Sequence, residues 1–482
     1  MTSTLAKQGR RITHIVFIAL LLDILSFTII LPLLPRSLEA YKARETHDLT
    51  LLSSLLARIS SLREYIQAHS ASSRFLQQGA RADLVLLGGL LGSLYSLLQF
   101  IVAPWIGRAA DRFGRRPVLL LCMLGNILWT LIWLYARSFE LFLGARIIAG
   151  LSEGNVQLSN TIIADVTDPA TRSRGMALVG IAFAVGFTVG PSIGAYFSQL
   201  PLEPSQPRSI FTYAPFAAAA LFSLVLLLAE TLFLYVRLPE TLDFKRHSSE
   251  PSPAGDSGTE DAATDSLASA QPSAQNNCKQ QRQLLQRLNL LHFTYLFFFS
   301  GMEYTLTFLT HDQFSFSNGQ QGRLLGFIGI LSTLLQGMWV RRRRGKSAHT
   351  DKDMVVKGML ACSAGLLCIA YCTAMSPGST LLLWMGAVGF AVASATVVNC
   401  LNSMVSLIND VETGKRLGDF RSAGQIGRSM GPLFACSVYW LLGSRTCYFV
   451  GSVAVFVISL LFIAFVPAST ATISRIPTKK SQ

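Results

Sequence analysis

Six ionisable residues stand inside apolar runs, where a charge is costly and therefore informative. They are Asp23, Arg146, Glu153, Glu230, Glu303 and Arg428. A carboxylic acid in such a place can bind and release a proton, and an arginine can hold an anion. Asp23 and Glu303 are read as candidate proton carriers. Arg146 and Arg428, one in each half of the chain, are candidates to hold an anionic group between them. Each acid also fits a plainer role, as the fixed partner of Arg146 or Arg428 in a buried ion pair, and the residues alone leave both open. Arg146 and Glu153 are seven residues apart. One continuous helix would put them on one face, about 10 Å apart along it. Glu230 lies toward the end of its run and is expected to reach the interface. Asn155, Gln157, Tyr304, Asn399 and Asn402 are candidate cavity-lining groups.

Other chemistries lack their residues. The seven histidines show no metal-ligand spacing, the eight cysteines are scattered, and no Walker A sequence occurs. A membrane-embedded acyl or lipid transferase would need a clustered His/Asp or Ser/His constellation, and none is present. No enzyme activity, cofactor or metal is expected.

The elements that must position these groups follow from composition. The 482 residues are 51% hydrophobic and only 14% charged, where soluble chains carry about a quarter charged residues. A bilayer-spanning helix needs about 20 apolar residues. That rule places twelve spans, at 13–35, 84–106, 117–136, 141–164, 176–198, 214–238, 290–311, 320–340, 354–375, 380–408, 417–441 and 446–467. The first run is read as an uncleaved span rather than a signal peptide. The net charge of +14 collects in alternate loops, around Lys7–Arg11, Arg108–Arg116, Arg172–Arg174, Arg341–Lys352, Lys415–Arg416 and the tail. Positive residues stay cytoplasmic, so both termini are expected inside. The charge is a topology signal, and no nucleic-acid partner is expected.

Two stretches are not spans. Residues 36–83 form a long outer loop. Within it Leu51, Leu52, Leu55, Leu56, Ile59, Leu62 and Ile66 recur at helical spacing, which predicts an amphipathic helix on the bilayer or against the outer face. Residues 242–288 are rich in Ser, Pro, Asp and Glu with few bulky apolar residues, and are expected to be a disordered cytoplasmic linker. The linker divides a six-span half, 1–241, from a second six-span half and short tail, 289–482. The halves share features. Gly186-x-x-x-Gly190-Pro191 matches Gly427-x-x-x-Gly431-Pro432, and Gly107 before a basic loop matches Gly337. Two parallel six-span halves with a site between them is a transporter architecture.

The motifs make the resemblance specific. Gly107-x-x-x-Asp111-Arg112-x-Gly114-Arg115-Arg116, Arg146-x-x-x-Gly150 and Gly186-x-x-x-Gly190-Pro191-x-x-Gly194 resemble the loop, span-four and span-five motifs of the major facilitator superfamily. "LLDILSFTIILPLLP" is similar to the first span of its drug/proton antiporter group. The resemblance implies an all-α membrane fold of two pseudo-symmetric six-helix bundles and a monomeric secondary transporter working by alternating access. It implies small-molecule substrates, organic anions or amphiphilic drugs, in exchange for protons. An uncoupled facilitator and a non-transporting receptor or scaffold with the same fold remain alternatives. The membrane is expected to be the plasma membrane or, as the resemblance implies, an internal one such as the inner nuclear membrane. The hinge at Gly107–Arg116 acquires a second role as a latch. Asp111 would dock on the positive N-terminal end of span eleven near Gly418–Arg421, or pair with Arg421. Arg115 or Arg116 would reach Asp165. The second half has Arg341 where Asp111 would be, so the latch is expected to be one-sided.

Overall fold

The computed structural model describes residues 3–44, 50–69, 79–169, 171–199, 216–242, 265–340, 347–373, 380–408 and 412–467. Among them there is no strand. The helices are α1 (Ser3–Thr28), α2 (Leu34–Arg44), α3 (Leu51–His69), α4 (Ala80–Phe113), α5 (Arg115–Tyr135), α6 (Phe139–Ser152), α7 (Asn155–Val166), α8 (Arg172–Gln199), α9 (Ala217–Arg237), α10 (Asp265–Phe314), α11 (Asn318–Leu335), α12 (Ser347–Cys372), α13 (Thr380–Leu407), α14 (Thr413–Leu442) and α15 (Ser444–Phe465). Twelve spans result, with α6 and α7 together making the fourth.

Nine of these helices are each long and apolar enough to cross a membrane. The fourth, seventh and eleventh spans fall short of that test. They carry Arg146, Glu153, Glu303, Arg421 and Arg428. Of the nine apolar spans, α1 and α9 also hold an acid each, Asp23 and Glu230.

Local chemistry sets the breaks. Gly114 joins α4 to α5 at φ 101°, a left-handed conformation that only glycine adopts without strain. Ser138 caps α6 by accepting from the Leu141 N–H at 3.4 Å. Ser317 and Gln320 form a reciprocal capping box at the start of α11, with the Ser317 N–H donating to Gln320 Oε1 at 2.8 Å. α11 then passes into a π turn, Gln336–Val340.

Two expectations change. The fourth span is not continuous: Glu153 and Gly154 separate α6 from α7, with Glu153 at φ −75° and ψ 84°. The seven-residue spacing of Arg146 and Glu153 therefore does not place them on one helical face. Residues 265–288, read as unfolded linker, are helical and continue into the seventh span as one 50-residue helix. Within it, Leu284 and Leu288 are buried. A short apolar patch thus extends the helix beyond the membrane, which mean composition of the linker had obscured. The rest of the linker, and Arg341 with its latch comparison, lie outside the described residues.

Among the described residues the buried core falls into two clusters of the first half and a third, mostly of the second half, that also takes in Ile66, Ala82 and Ala177. The halves meet where α4 runs along α14, and where α8 runs along α11 and α13. Along α4–α14 the Ser422 hydroxyl donates to the Phe100 carbonyl at 2.7 Å, and Ser429 to Ser93 at 2.9 Å. Gly107 lies so close against the Gly414 carbonyl that a Cβ would collide with it. The end of the bundle holding the α4–α5 hinge is the basic face; the end holding α2 and α3 is the loop face.

Candidate functional site

The break in the fourth span places Glu153 at the centre of the molecule. The Tyr95 hydroxyl, from α4, donates to Glu153 Oε2 at 3.1 Å. Arg421 reaches in from α14 in the other half, its Nη2 4.0 Å from Glu153 Oε1 and 2.9 Å from Gln99 Oε1. Asp23, on α1, is 4% exposed, with the Asn155 side chain in hydrogen-bonding reach and Glu153 and Arg421 acting on it electrostatically. It makes no ion pair at 4 Å among the described residues.

Arg146 is 3% exposed and sits among ring faces. Its guanidinium carbon lies 5.4 Å from the Tyr95 ring centre and 6.0 Å from those of Phe27 and Trp129. The rings stabilise the cation through their quadrupoles. Yet Nε and Nη1 donate to nothing, and no described carboxylate lies within 4 Å. A buried cation with unused donors is a ready receptor for an anion.

Glu230 also belongs here. It is 1% exposed, its Oε2 has no hydrogen-bond partner, and the charges acting on it are Asp23 and Glu153. It does not reach the interface, because α9 packs that side of the helix against α1 and α5. The signal was present in the sequence: Glu230 is flanked by the apolar runs 224–229 and 232–236.

The second half is built differently. Glu303 on α10 and Arg428 on α14 both keep exposed surface at mid-span. Arg428 acts electrostatically on Glu303 without a 4 Å ion pair. Of the polar candidates, Asn155 joins the centre and donates to Met123 Sδ at 3.2 Å. Gln157 instead donates to the Ala103 carbonyl at 3.0 Å, where Gly418 passes close by. Asn399 lies at the α8–α13 contact beside Gly180 and Gln336. Tyr304 packs against Gly89 near the loop face. Asn402 is half-buried on α13.

On the basic face, Asp111 accepts the Gly414 N–H at 3.0 Å and the Lys415 N–H at 2.7 Å. These are free donors at the N-terminus of α14, where the helix dipole also favours an anion. Arg115 is 1% exposed and joins two acids, Asp111 and Asp165, at 2.8 Å each. Arg116 turns away to the Tyr235 carbonyl, and Arg112 is exposed beside Phe113. Arg421 does not meet Asp111; it lies two helical turns further along α14, in the central cluster. Gly186, Gly190 and Gly194 pack α8 onto α1 at Ile24, Thr28 and Ile29, and Pro191 continues the helix without a break.

Two parts of this face were not singled out in the sequence. Glu240, just after α9, accepts N–H groups from Arg115, Arg116, Thr241 and Leu242 at 2.8–3.1 Å. Burial alone would raise its carboxyl, but those four donors outweigh it and hold it below the usual range. The acid of "LPETL" was the available signal. Arg172 is the other. Its Nη1 crosses to the Ser406 carbonyl of the second half at 2.9 Å, while Nη2 donates to Ala164 at 3.0 Å. Arg416 repeats the latter contact on the Ile408 carbonyl at 2.7 Å. Both donors and both acceptors are offset by 244 residues (416 − 172 and 408 − 164), so the internal repeat survives at the level of a hydrogen bond.

Residues 16–349 match the family model described as Major Facilitator Superfamily. The chain is 38% identical over 450 residues to the Homo sapiens protein named major facilitator superfamily domain-containing protein 10, covering 91% of this chain and 90% of that one. It is 28% identical over 213 residues to the class B tetracycline resistance protein of Escherichia coli, covering 44% and 41%. The crystal structure of the human organic anion transporter MFSD10 (TETRAN) superposes with a TM-score of 0.75 at 35% identity, covering 94% of this chain and 99% of that one.

Proposed function

The chain belongs to the Major Facilitator Superfamily of transporters, and we propose on that premise that it exchanges organic anions or amphiphilic drug-like molecules for protons by alternating access. The observation that carries this reading is Arg146: a cation buried among Phe27, Tyr95 and Trp129, with two donor atoms unused. An anionic head group satisfies those donors while an aromatic body stacks on the rings. Arg428, accessible on the other half, supplies a second cation to the same anion. The similarity to the human organic anion transporter MFSD10 (TETRAN) supports this class of substrate.

Proton exchange is assigned to Asp23 and Glu303. Asp23 shares its surroundings with one movable cation, Arg421, which belongs to the other half. When the halves rock apart, that cation withdraws and the acid takes up a proton. Glu303 stands in the same relation to Arg428. On the basic face Asp111, Arg115, Asp165 and Arg172 hold the halves together, and their release opens that side. The basic face is taken as cytoplasmic, with both termini inside, in the plasma membrane or an internal membrane such as the inner nuclear membrane. The transporter acts as a monomer.

The test is uptake of a panel of organic anions into proteoliposomes with an imposed pH gradient. Gradient-dependent uptake is expected in the native protein and lost in Asp23→Asn or Glu303→Gln. Coupling unchanged in both would refute the assignment. Saturable uptake indifferent to the gradient in the native protein would leave an uncoupled facilitator.

A further inference from the structure

The long loop between the first two spans has no part in the family motifs, yet its helix α3 is placed where it touches both halves. Leu52 and Leu56 are buried in the loop-face cluster of the first half, with Leu55 and Ile59 packed beside them. Ile66, ten residues further on, is 9% exposed and belongs to the buried cluster that joins Ala82, Val85 and Leu86 of α4 to residues of the second half. Ten helical residues span about 15 Å, the scale of the gap between neighbouring helix axes plus their side chains. α3 accordingly contacts α4 and α6 of the first half and α14 of the second.

Its attachment to the first half is the firmer one. Arg63 Nε lies 2.7 Å from Asp83 Oδ1, and both side chains are nearly buried. Asp83 sits in the first turn of α4, where an acid also meets the positive end of the helix. Arg63 further donates to Gln67 at 3.3 Å. A charge-assisted bond of this kind is directional and stronger than a neutral one. The contact at Ile66 is apolar and non-directional. Leu62 and Tyr65 of α3 are exposed and bind it to neither half.

We propose that α3 is a clasp across the loop face: it is pinned to α4 through Arg63–Asp83, closes on the second half through Ile66, and must release Ile66 before that face opens. The proposal rests on the alternating-access reading, in which the loop-face ends of α4 and α14 separate. A helix fixed to one half and packed on the other opposes that separation. It acts at the opposite end of the molecule from Asp111 and Arg172, so each face carries its own closure.

Spin labels at Glu140→Cys and Arg445→Cys, exposed loop-face positions on the two halves, report the opening by double electron–electron resonance in lipid nanodiscs. Two distance populations are expected in this labelled protein. Ile66→Asp should raise the ratio of long to short distances about tenfold, the scale of one buried aliphatic contact. Arg63→Gln should raise it about threefold and decides the matter should Ile66→Asp not fold. Two populations indifferent to both substitutions would overturn the clasp while leaving alternating access intact. A single population in every sample would overturn both.

Discussion

The charges buried in the first half and those of the second half solve the same problem in opposite ways. Asp23, Arg146, Glu153 and Glu230 are packed out of reach of solvent, and one of their closest cations, Arg421, is borrowed from the other half. Glu303 and Arg428 stay accessible and make no 4 Å ion pair. A buried charge gains order but depends on its partners, since losing one leaves the other stranded. A charge that is not locked to a single partner can change partners at less cost. Asp23 and Glu153 are therefore held by fixed neighbours, whereas Glu303 and Arg428 make no 4 Å ion pair with each other. The same asymmetry appears on the basic face. The first half offers an acid, Asp111, to helical N–H groups; it also offers an arginine, Arg172, to a carbonyl.

This contrast can be broken most forcefully at Arg115. Arg115→Ala strands Asp111 and Asp165 together and should cost about 3–5 kcal/mol, read by equilibrium unfolding. A loss below about 1 kcal/mol would show that the first half's buried network is not holding it. Asp111→Asn should come next. It removes the charge from two N–H bonds and should shift the population about tenfold toward opening of the basic face. Distances across that face, measured by spin labels, check this, and Arg172→Ala should move them in the same direction by less. Arg428→Gln sharpens the other side of the comparison. The KM for an organic anion should rise about tenfold with the melting temperature unchanged. A fall in melting temperature with KM intact would make Arg428 structural instead.

The smallest effect concerns pH. Glu240 is held below its ordinary pKa in the folded state. Its contribution is therefore present above the unfolded value, about 4.3, and is lost as pH falls through the lower folded value. The difference in melting temperature between native protein and Glu240→Gln should be present at pH 7 and shrink below about pH 4. A constant difference would show that packing around Gly114, rather than the carboxylate, orders the hinge.

The central cluster was partly legible in the sequence. Asp23, Arg146 and Glu153 stand out because each interrupts an apolar run. Their partners do not, since nothing local connects Glu153 to Arg421, 268 residues away (421 − 153). Arg421 was placed with Asp111 because both lie near the same membrane surface; the two turns of helix between Gly414 and Arg421 carry it inward instead. The position of Glu230 toward the end of its span suggests escape to the interface. The side of α9 that it occupies, against α1, removes that route. No local signal marks the break at Glu153–Gly154, because hydrophobic residues continue on both sides of it.

Apolar length and the placement of basic residues determine the helical class, the number of spans and the division into halves, since lipid imposes those constraints on each segment separately. The loop motif determines that a helix end will turn sharply at Gly114, which is a property of one residue's backbone. Only the tertiary structure decides which charge meets which, whether α3 lies on lipid or across both halves, and which acids are left without a cation. Those outcomes depend on the rotation and depth of helices against one another, which long-range packing sets and no local window of sequence contains.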